Sequence, residues 1–109
     1  MTPDNGDNTP AEPDPPPATP VLTRMLIVPN KRGLHARAAA KFVMLAERFG
    51  AAVEVIRDGQ AVSARSIMGL MMLGAGKGAS IELRSEGWDA KEAIEALSAL
   101  VESGFDEQD

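Results

Sequence analysis

Residues 30–43 read Asn30-Lys31-Arg32-Gly33-Leu34-His35-Ala36-Arg37-Ala38-Ala39-Ala40-Lys41-Phe42-Val43. They contain the only histidine of the chain, directly before a run of strong helix formers. Gly33 and the polar residues before it interrupt any preceding strand. Apolar residues then recur at helical spacing, at Ala39, Phe42, Val43, Ala46 and Phe49. We therefore predict a helix that begins at Ala36, with His35 as its N-cap.

A histidine in this position is well placed to handle phosphate. The first turn of a helix presents unpaired backbone N–H groups and a partial positive charge, which together attract anions. An imidazole is largely uncharged at neutral pH, so one ring nitrogen keeps an electron pair that can attack a phosphoryl group. The resulting dianion would lie over the helix start, with the Arg37 guanidinium as a forked cation. On the pattern alone, a simple capping or surface histidine remains an alternative.

The composition excludes several other kinds of site. A chain of 109 residues is long enough for one small domain. It has no cysteine and a single histidine, which excludes disulfides, thiolate zinc sites and histidine-rich metal centres. No apolar run approaches the ~20 residues of a membrane helix, and the acidic N-terminus lacks the pattern of a secretory signal. We therefore expect a cytoplasmic protein that contacts no membrane and uses no metal or cofactor.

The net charge of −5 is distributed unevenly along the chain. Residues 1–22 and 102–109 are acidic and contain no lysine or arginine, whereas residues 23–101 hold 11 basic and 8 acidic residues. Several of the cations flank His35, namely Lys31, Arg32, Arg37 and Lys41. Such a cluster suits an anionic ligand or an acidic protein partner. A nucleic-acid surface needs more basic residues and more exposed aromatic rings, so we expect no nucleic-acid partner.

The same distribution divides the chain into three parts. Residues 1–22 hold seven of the eight prolines and little apolar surface, which predicts a disordered acidic tail. A docking segment for an SH3-like partner, built on Pro15-Pro16-Pro17, is a less favoured interpretation. Residues 23–104 are predicted to form the folded domain, and residues 105–109 a short acidic C-terminal tail.

Four short strands are predicted in the folded part. They lie at residues 21–28, 51–57, 60–64 and 80–85. Asp58-Gly59 separates the second and third strands and is typical of a tight hairpin turn.

Three helices are predicted between and after these strands. The first runs from Ala36 to about Phe49 and is stopped by Gly50. The second covers residues 66–73 and is closed by Gly74. Asp89 would cap the third, with Glu92 completing a capping box. The third helix would bury a stripe of Ala90, Ala93, Ile94, Leu97, Leu100 and Val101.

The predicted order of elements is therefore β-α-β-β-α-β-α. Four short strands would form one antiparallel-type sheet, and the helices must cover its apolar face. The fold class is α+β with two layers. A ferredoxin-like variant would also fit this order.

Two segments resemble those of a known family. Residues 33–43 contain Gly33-Leu34-His35-Ala36-Arg37 and Ala39-Ala40-Lys41-Phe42-Val43, and they closely resemble the active-site segment of HPr. HPr is the histidine phosphocarrier of the phosphoenolpyruvate-dependent phosphotransferase system. Residues 66–70, Ser66-Ile67-Met68-Gly69-Leu70, are similar to the regulatory serine segment of the same family. The resemblance implies the HPr-like open-faced β-sandwich, a four-stranded sheet with three helices on one face.

The resemblance implies a phosphocarrier rather than an enzyme. His35 would be the phosphohistidine, stabilised by Arg37 and by the backbone amides of Ala36, Arg37 and Ala38. Enzyme I would donate the phosphoryl group and an enzyme IIA component would accept it, in sugar uptake or in nitrogen-type regulatory signalling. We expect a monomer. Gly-Leu-His-Ala-Arg-Ala together with Leu-Met-Met-Leu is similar to an alphaproteobacterial branch in which the relay is often regulatory.

One position departs from the family pattern. Ala38 stands where HPr proteins commonly have proline directly after the arginine. Proline pre-sets the first helical turn but has no N–H, whereas alanine keeps helix propensity and adds a donor. We therefore expect the site to survive this change.

The short helix at residues 66–73 is apolar almost all round. Either some of its side chains face water or a partner, or all of its large apolar residues are core. In the HPr family the equivalent helix contacts both the donor and the acceptors. The resemblance therefore implies a partner-binding surface of Ala36, Ala40, Ile67, Met68 and Met71.

Ser66 heads this helix and has two interpretations. It could be a plain helix cap. By the resemblance it would also be a regulatory phosphorylation site, with an HPr serine kinase/phosphorylase as a further partner. An alternative function for the whole chain is a regulatory binding module switched at Ser66 without an active histidine relay. A stand-alone histidine-based enzyme is not favoured, because no second base or metal set is apparent.

Overall fold

The computed structural model describes residues 20–107, and within them the predicted order of elements is confirmed. Most of the predicted N-terminal tail, including Pro15-Pro16-Pro17, and the last two residues of the predicted C-terminal tail lie outside the described residues. The strands are β1 (Leu22–Ile27), β2 (Ala52–Arg57), β3 (Gln60–Ser63) and β4 (Ser80–Glu86). The helices are α1 (Ala36–Ala46), α2 (Ile67–Met72) and α3 (Ala90–Glu102).

The strands form one sheet in the order β1-β4-β2-β3, and every neighbouring pair is antiparallel. Leu26 of β1 pairs with Ile81 of β4, and Val55 of β2 pairs with Leu83 of β4. All four side chains are buried, whereas Met25 on the other side of β1 is exposed. Because side chains alternate across a strand, one face of the sheet carries the core and the other faces outward.

The helices cover the inner face of this sheet. α3 contacts β1, β2 and β4, α1 packs against α3, and α2 packs against α1 and β3. The predicted stripe of α3 is buried, except that Leu100 is only partly covered. The two largest fully buried side chains are Phe42 of α1 and Phe105, which follows α3. The core therefore includes a residue from the segment predicted as a tail.

Two turn predictions are confirmed and one is wrong. Asp58 (φ 50°) and Gly59 (φ 80°) form a two-residue turn between the paired residues Arg57 and Gln60. Gly74 (φ 61°) follows the end of α2. Gly50, however, does not end α1, which stops at Ala46. The chain tightens there into i→i−3 bonds, such as that from the Phe49 amide to the Ala46 carbonyl at 3.1 Å.

The predicted capping box of α3 is also wrong. Asp89 is the N-cap, but its side chain makes no capping hydrogen bond. Its carboxylate instead accepts hydrogen bonds from the Gly50 amide at 2.9 Å and the Ala51 amide at 2.8 Å. These amides lie just before β2 and pair with Asp89 across the fold, so Asp89 ties the start of α3 to the start of β2.

The loop between β1 and α1 is fixed by close backbone packing at Gly33. The Leu34 amide donates to the Ala75 carbonyl at 2.8 Å, which joins this loop to the segment after α2. Gly33 has φ +64°, and a Cβ there would lie 2.4 Å from the Ala75 oxygen and 2.6 Å from the Gly76 Cα. Only glycine fits, because both the left-handed backbone and the backbone contact exclude a side chain.

We therefore predict that Gly33→Ala destabilises the domain by about 2 kcal/mol or more, since it combines backbone strain with overpacking. For a domain of this size the melting temperature would fall by roughly 8 °C or more. Gly76→Ala is the matched control, because a Cβ at Gly76 meets nothing within 4 Å. Thermal unfolding followed by circular dichroism measures both variants. Equal melting temperatures for the two would contradict the assigned role of Gly33.

Candidate functional site

His35 is the N-cap of α1, as predicted. Its backbone is extended (φ −80°, ψ 179°), and its side chain makes no capping hydrogen bond. The first helical bond runs from the Ala39 amide to the His35 carbonyl at 2.8 Å. The amides of Ala36, Arg37 and Ala38 therefore have no acceptor within the helix. The imidazole is not used for capping, and 14% of its side-chain surface is exposed.

One nitrogen of the His35 ring is bound by a carboxylate. Nε2 of His35 contacts Oε2 of Glu107. The other oxygen of Glu107 accepts a hydrogen bond from Nδ2 of Asn30 at 2.9 Å. Nδ2 of Asn30 also donates to the Gly33 carbonyl at 2.9 Å, and Asn30 is buried. Nδ1 is therefore the ring nitrogen that Glu107 does not occupy.

The Glu107 carboxyl is stabilised in its ionised form. Burial raises its pKa, but hydrogen bonds from His35 and Asn30 lower it, as do the charge that the His35 ring carries when it is protonated and the charge of Arg32. Together these interactions place the pKa of Glu107 below its ordinary value. At neutral pH Glu107 therefore presents two acceptor oxygens, one to Asn30 and one to His35.

Glu107 reaches His35 because the chain reverses after α3 in a Schellman motif. The Phe105 amide donates to the Leu100 carbonyl at 2.8 Å, and the Gly104 amide donates to the Val101 carbonyl at 2.9 Å. Gly104 adopts the left-handed conformation (φ 71°) that this motif requires. The reversal directs the following residues toward the start of α1.

Burial and hydrogen bonds hold the reversed segment in place, although two of its residues have an unfavourable backbone conformation. Phe105 (φ 59°) and Asp106 (φ 58°) both adopt the left-handed conformation, which costs of order 1–3 kcal/mol for each non-glycine residue. The fully buried Phe105 side chain and a 2.8 Å hydrogen bond from Lys41 Nζ to the Phe105 carbonyl offset that cost. The Asp106 amide also donates to Ser103 Oγ at 3.1 Å.

Sequence reasoning missed Asn30 and Glu107 as parts of the site. The predicted acidic tail of residues 105–109 includes Glu107, because these residues are mostly charged or polar. The signal that could have located it is Gly104-Phe105 directly after a helix. Glycine followed by an apolar residue is typical of a Schellman motif, in which the apolar side chain returns to the helix.

The cations around His35 have different environments. Arg37 is exposed, and its guanidinium has no hydrogen-bond or ion-pair partner within residues 20–107. Lys41 is bound to the Phe105 carbonyl, and Arg32 acts on Glu107 through its charge. Arg37 is therefore a cation beside the helix start that can turn toward an incoming anion.

The second predicted site segment lies on α2, which packs against α1. Ser66 is the N-cap of α2, and its Oγ accepts a hydrogen bond from the Gly69 amide at 2.9 Å. The predicted capping role of Ser66 is thus confirmed. The connection after α2 is also fastened to the His35 loop by the bond between Leu34 and Ala75.

The apolar residues of α2 are divided between core and surface. Leu70 and Leu73 are buried, whereas the large side chains exposed on this helix are Ile67, Met68, Met71 and Met72. The alternative in which all of them are core is therefore wrong. Among the small residues of α1, Ala36 is exposed, Ala40 is half-buried and Ala38 is fully buried.

Residues 20–107 contain neither a candidate metal site nor a candidate membrane-spanning helix. Across residues 20–107, no group of three or more His, Cys, Asp or Glu side chains could hold a metal ion. Over the same range, every helix is too short or too polar to cross a bilayer.

Comparison with known proteins identifies the family. A family model described as the phosphorylation site of the HPr component of the phosphotransferase system matches residues 22–103. The chain belongs to the HPr family. HPr from Cupriavidus necator is 47% identical over 87 residues, which cover 80% of this chain and 98% of that protein. NPr from Shewanella violacea is 44% identical over 86 residues, which cover 79% of this chain and 94% of that protein.

The solved structures agree with this assignment. A crystal structure of HPr from Thermoanaerobacter tengcongensis has a TM-score of 0.77 and 45% sequence identity, and the match covers 80% of this chain and 98% of that chain. The fold is thus the HPr-like open-faced sandwich and not a ferredoxin-like variant. As a member of the HPr family, the chain is a phosphocarrier protein of the phosphotransferase system.

Proposed function

We propose that His35 carries the phosphoryl group, which it accepts from enzyme I and passes to an enzyme IIA component. The observation that supports this proposal is that the first backbone amides of α1 have no acceptor in the helix, and that the neighbouring His35 side chain does not cap them. His35 places a nucleophilic ring directly before the free amides of Ala36, Arg37 and Ala38. A helix N-terminus attracts a phosphoryl dianion through these N–H groups and its dipole.

Nδ1 of His35 is the proposed site of attachment. Glu107 is bound at Nε2, which leaves Nδ1 to act as the nucleophile. In the transfer, the Nδ1 electron pair forms the new bond to phosphorus while the bond between phosphorus and the donor breaks. The electron pair of that bond stays on the donor. Transfer to the acceptor reverses these changes at Nδ1, so His35 needs no general base of its own.

Arg37 would neutralise the phosphoryl group while it is transferred. Its guanidinium is exposed and has no partner within the described part of the chain. A guanidinium can form two parallel hydrogen bonds to phosphate oxygens, which a lysine cannot. The charge that develops between donor and His35 would therefore be shared by Arg37 and the helix amides.

The surface beside His35 suits protein partners. Ile67, Met68 and Met71 are exposed on α2, and exposed methionines adapt to differently shaped surfaces. Ala36 and Ala40 are small, so a partner could approach His35 along α1. We propose that enzyme I and the enzyme IIA component use this same surface, whether the relay serves sugar uptake or nitrogen-type signalling. The presence of both His35 and Arg37 favours a relay over a purely regulatory binding module.

We predict that His35→Ala abolishes phosphorylation by phosphoenolpyruvate and a cognate enzyme I. The wild-type phosphoprotein should be acid-labile and base-stable, and the variant should stay folded because the His35 side chain makes no capping bond. Radiolabel transfer measures the first property and circular dichroism the second. Undiminished labelling of a folded His35→Ala variant would refute the assignment.

We predict that Arg37→Ala slows phosphoryl transfer roughly 10- to 150-fold, because a charged hydrogen bond contributes about 1.5–3 kcal/mol. Binding of enzyme I should weaken much less, since the effect lies in the transfer step. Arg48→Ala is the matched control, because Arg48 is exposed beyond the far end of α1. Rapid-quench kinetics separates the transfer rate from docking. A rate for Arg37→Ala within twofold of the control would show that Arg37 is only a surface cation.

We further propose that phosphorylation of Ser66 weakens docking. Ser66 heads α2, and a helix N-terminus tolerates a dianion without unfolding. The phosphate would nonetheless place nearly two negative charges beside Met68 and Met71. A partner shaped for an apolar patch and a phosphohistidine would then meet like-charge repulsion and a desolvation cost.

We predict that Ser66→Asp keeps the fold and raises the Kd for enzyme I by about tenfold or more, which is about 1.4 kcal/mol. Ser66→Ala should remain a competent carrier, although it loses the cap of α2. Ser80→Asp adds the same charge at an exposed position at the start of β4 and serves as the control. Titration of enzyme I into the wild type and each of the three variants, followed by NMR chemical shifts, measures the Kd values. Equal affinity for Ser66→Asp, Ser66 phosphoprotein and wild type would leave Ser66 as a cap alone.

A further inference from the structure

We propose that Glu107 is a positioning residue for phosphoryl transfer. It would hold the His35 ring in the tautomer that leaves Nδ1 free, and it would stabilise the positive charge that the ring gains on phosphorylation. This inference rests on the proposed function, because it assigns Glu107 a role in the reaction of His35.

The ionised state of Glu107 determines which atom donates in its hydrogen bond with His35. An ionised carboxylate has acceptors only, so the Nε2 atom of His35 must carry the proton of that hydrogen bond. A neutral imidazole has one N–H, which means that Nδ1 then holds the free electron pair. The contact therefore selects the tautomer that can attack phosphorus through Nδ1.

Asn30 makes a carboxylate necessary at this position. Nδ2 of the buried Asn30 donates to one oxygen of Glu107, while His35 contacts the other. Both neighbours are donors, so both terminal atoms of residue 107 must be acceptors. A glutamine has one oxygen and one NH₂ group, so it can satisfy only one of the two donors with its oxygen. Its NH₂ group would otherwise donate to Nε2 and select the wrong tautomer.

The segment that carries Glu107 is fixed by the core and not by the contact with His35. Phe105 is fully buried, and the Schellman hydrogen bonds from Gly104 and Phe105 connect it to α3. Lys41 of α1 binds the Phe105 carbonyl at 2.8 Å, which ties the segment to the helix that His35 begins. The carboxylate is therefore held in place before a partner arrives, so little ordering is needed during the reaction.

The second role of Glu107, stabilising the positive charge that the ring gains on phosphorylation, follows from the charge balance of the reaction. The neutral ring attacks through Nδ1 while Nε2 keeps its proton, so the phosphorylated ring is a cation. No proton leaves in this step, and the electron pair of the broken bond stays on the donor. The ionised Glu107 stabilises this imidazolium through its hydrogen bond, as the buried aspartate does in a Ser-His-Asp triad. When the phosphoryl group leaves, its electron pair returns to Nδ1 and the ring is neutral again.

The test compares Glu107→Gln with the matched variant Glu102→Gln. Glu102 is exposed at the end of α3. Its replacement by glutamine removes one negative charge from the same end of the molecule. We expect Glu107→Gln to slow phosphorylation of His35 at saturating enzyme I by about 10-fold or more, with docking affinity unchanged. Glu102→Gln should phosphorylate at the wild-type rate. Thermal unfolding confirms that both variants are folded.

A second readout needs no partner protein. In uniformly ¹⁵N-labelled protein, the two ring nitrogens of His35 report which of them is protonated. The wild-type ring should be the Nε2–H tautomer, and Glu107→Gln should lose this preference while Glu102→Gln keeps it. Unchanged nitrogen shifts and an unchanged transfer rate in Glu107→Gln would overturn the role of Glu107 alone. Failure of wild-type His35 to accept phosphate would instead overturn the proposed function, and the tautomer measurement would still decide whether Glu107 positions the ring.

Discussion

The first turn of an α-helix cannot bond its own leading amides, and the site of this protein depends on that constraint. In α1 the helical bonds begin at the amide of Ala39, so the three amides before it have no helical acceptor. A serine, threonine or aspartate at the N-cap would use one of them internally. His35 stands there instead and makes no capping bond, which keeps the helix start available for an external anion. Ser66 shows the contrast, because it caps α2 through the Gly69 amide.

The surrounding fold holds this helix start from two sides. Gly33 packs on the Ala75 and Gly76 backbone and fixes the loop before α1. Phe105 is buried after α3 and directs Glu107 to the Nε2 atom of the His35 ring. The residues that position His35 thus come from β1–α1, from the connection after α2 and from the chain beyond α3. A carrier that meets more than one partner benefits from a site that is already ordered, since each encounter then costs less conformational entropy.

The parts of the fold that are set by local chemistry could be predicted from the sequence. Helical spacing located α1, Asp58-Gly59 located the hairpin, and the histidine before an alanine-rich run located the N-cap. The errors arose where long-range contacts compete with local patterns. Asp89 fits a capping box, but its carboxylate binds the distant amides of Gly50 and Ala51 instead. Glu107 looked like part of an acidic tail, because the burial of Phe105 depends on packing that short-range spacing does not report.

The position of the phosphoryl group on the His35 ring tests the central claim most directly. The phosphorylated protein, prepared with ¹⁵N-labelled histidine, contains a single labelled ring, so its nitrogen signals need no further assignment by mutation. A direct coupling between ³¹P and Nδ1 is the predicted result, with the proton retained on Nε2 beside Glu107. Coupling to Nε2, or a phosphoryl group on any other residue, would contradict the proposed geometry of the site.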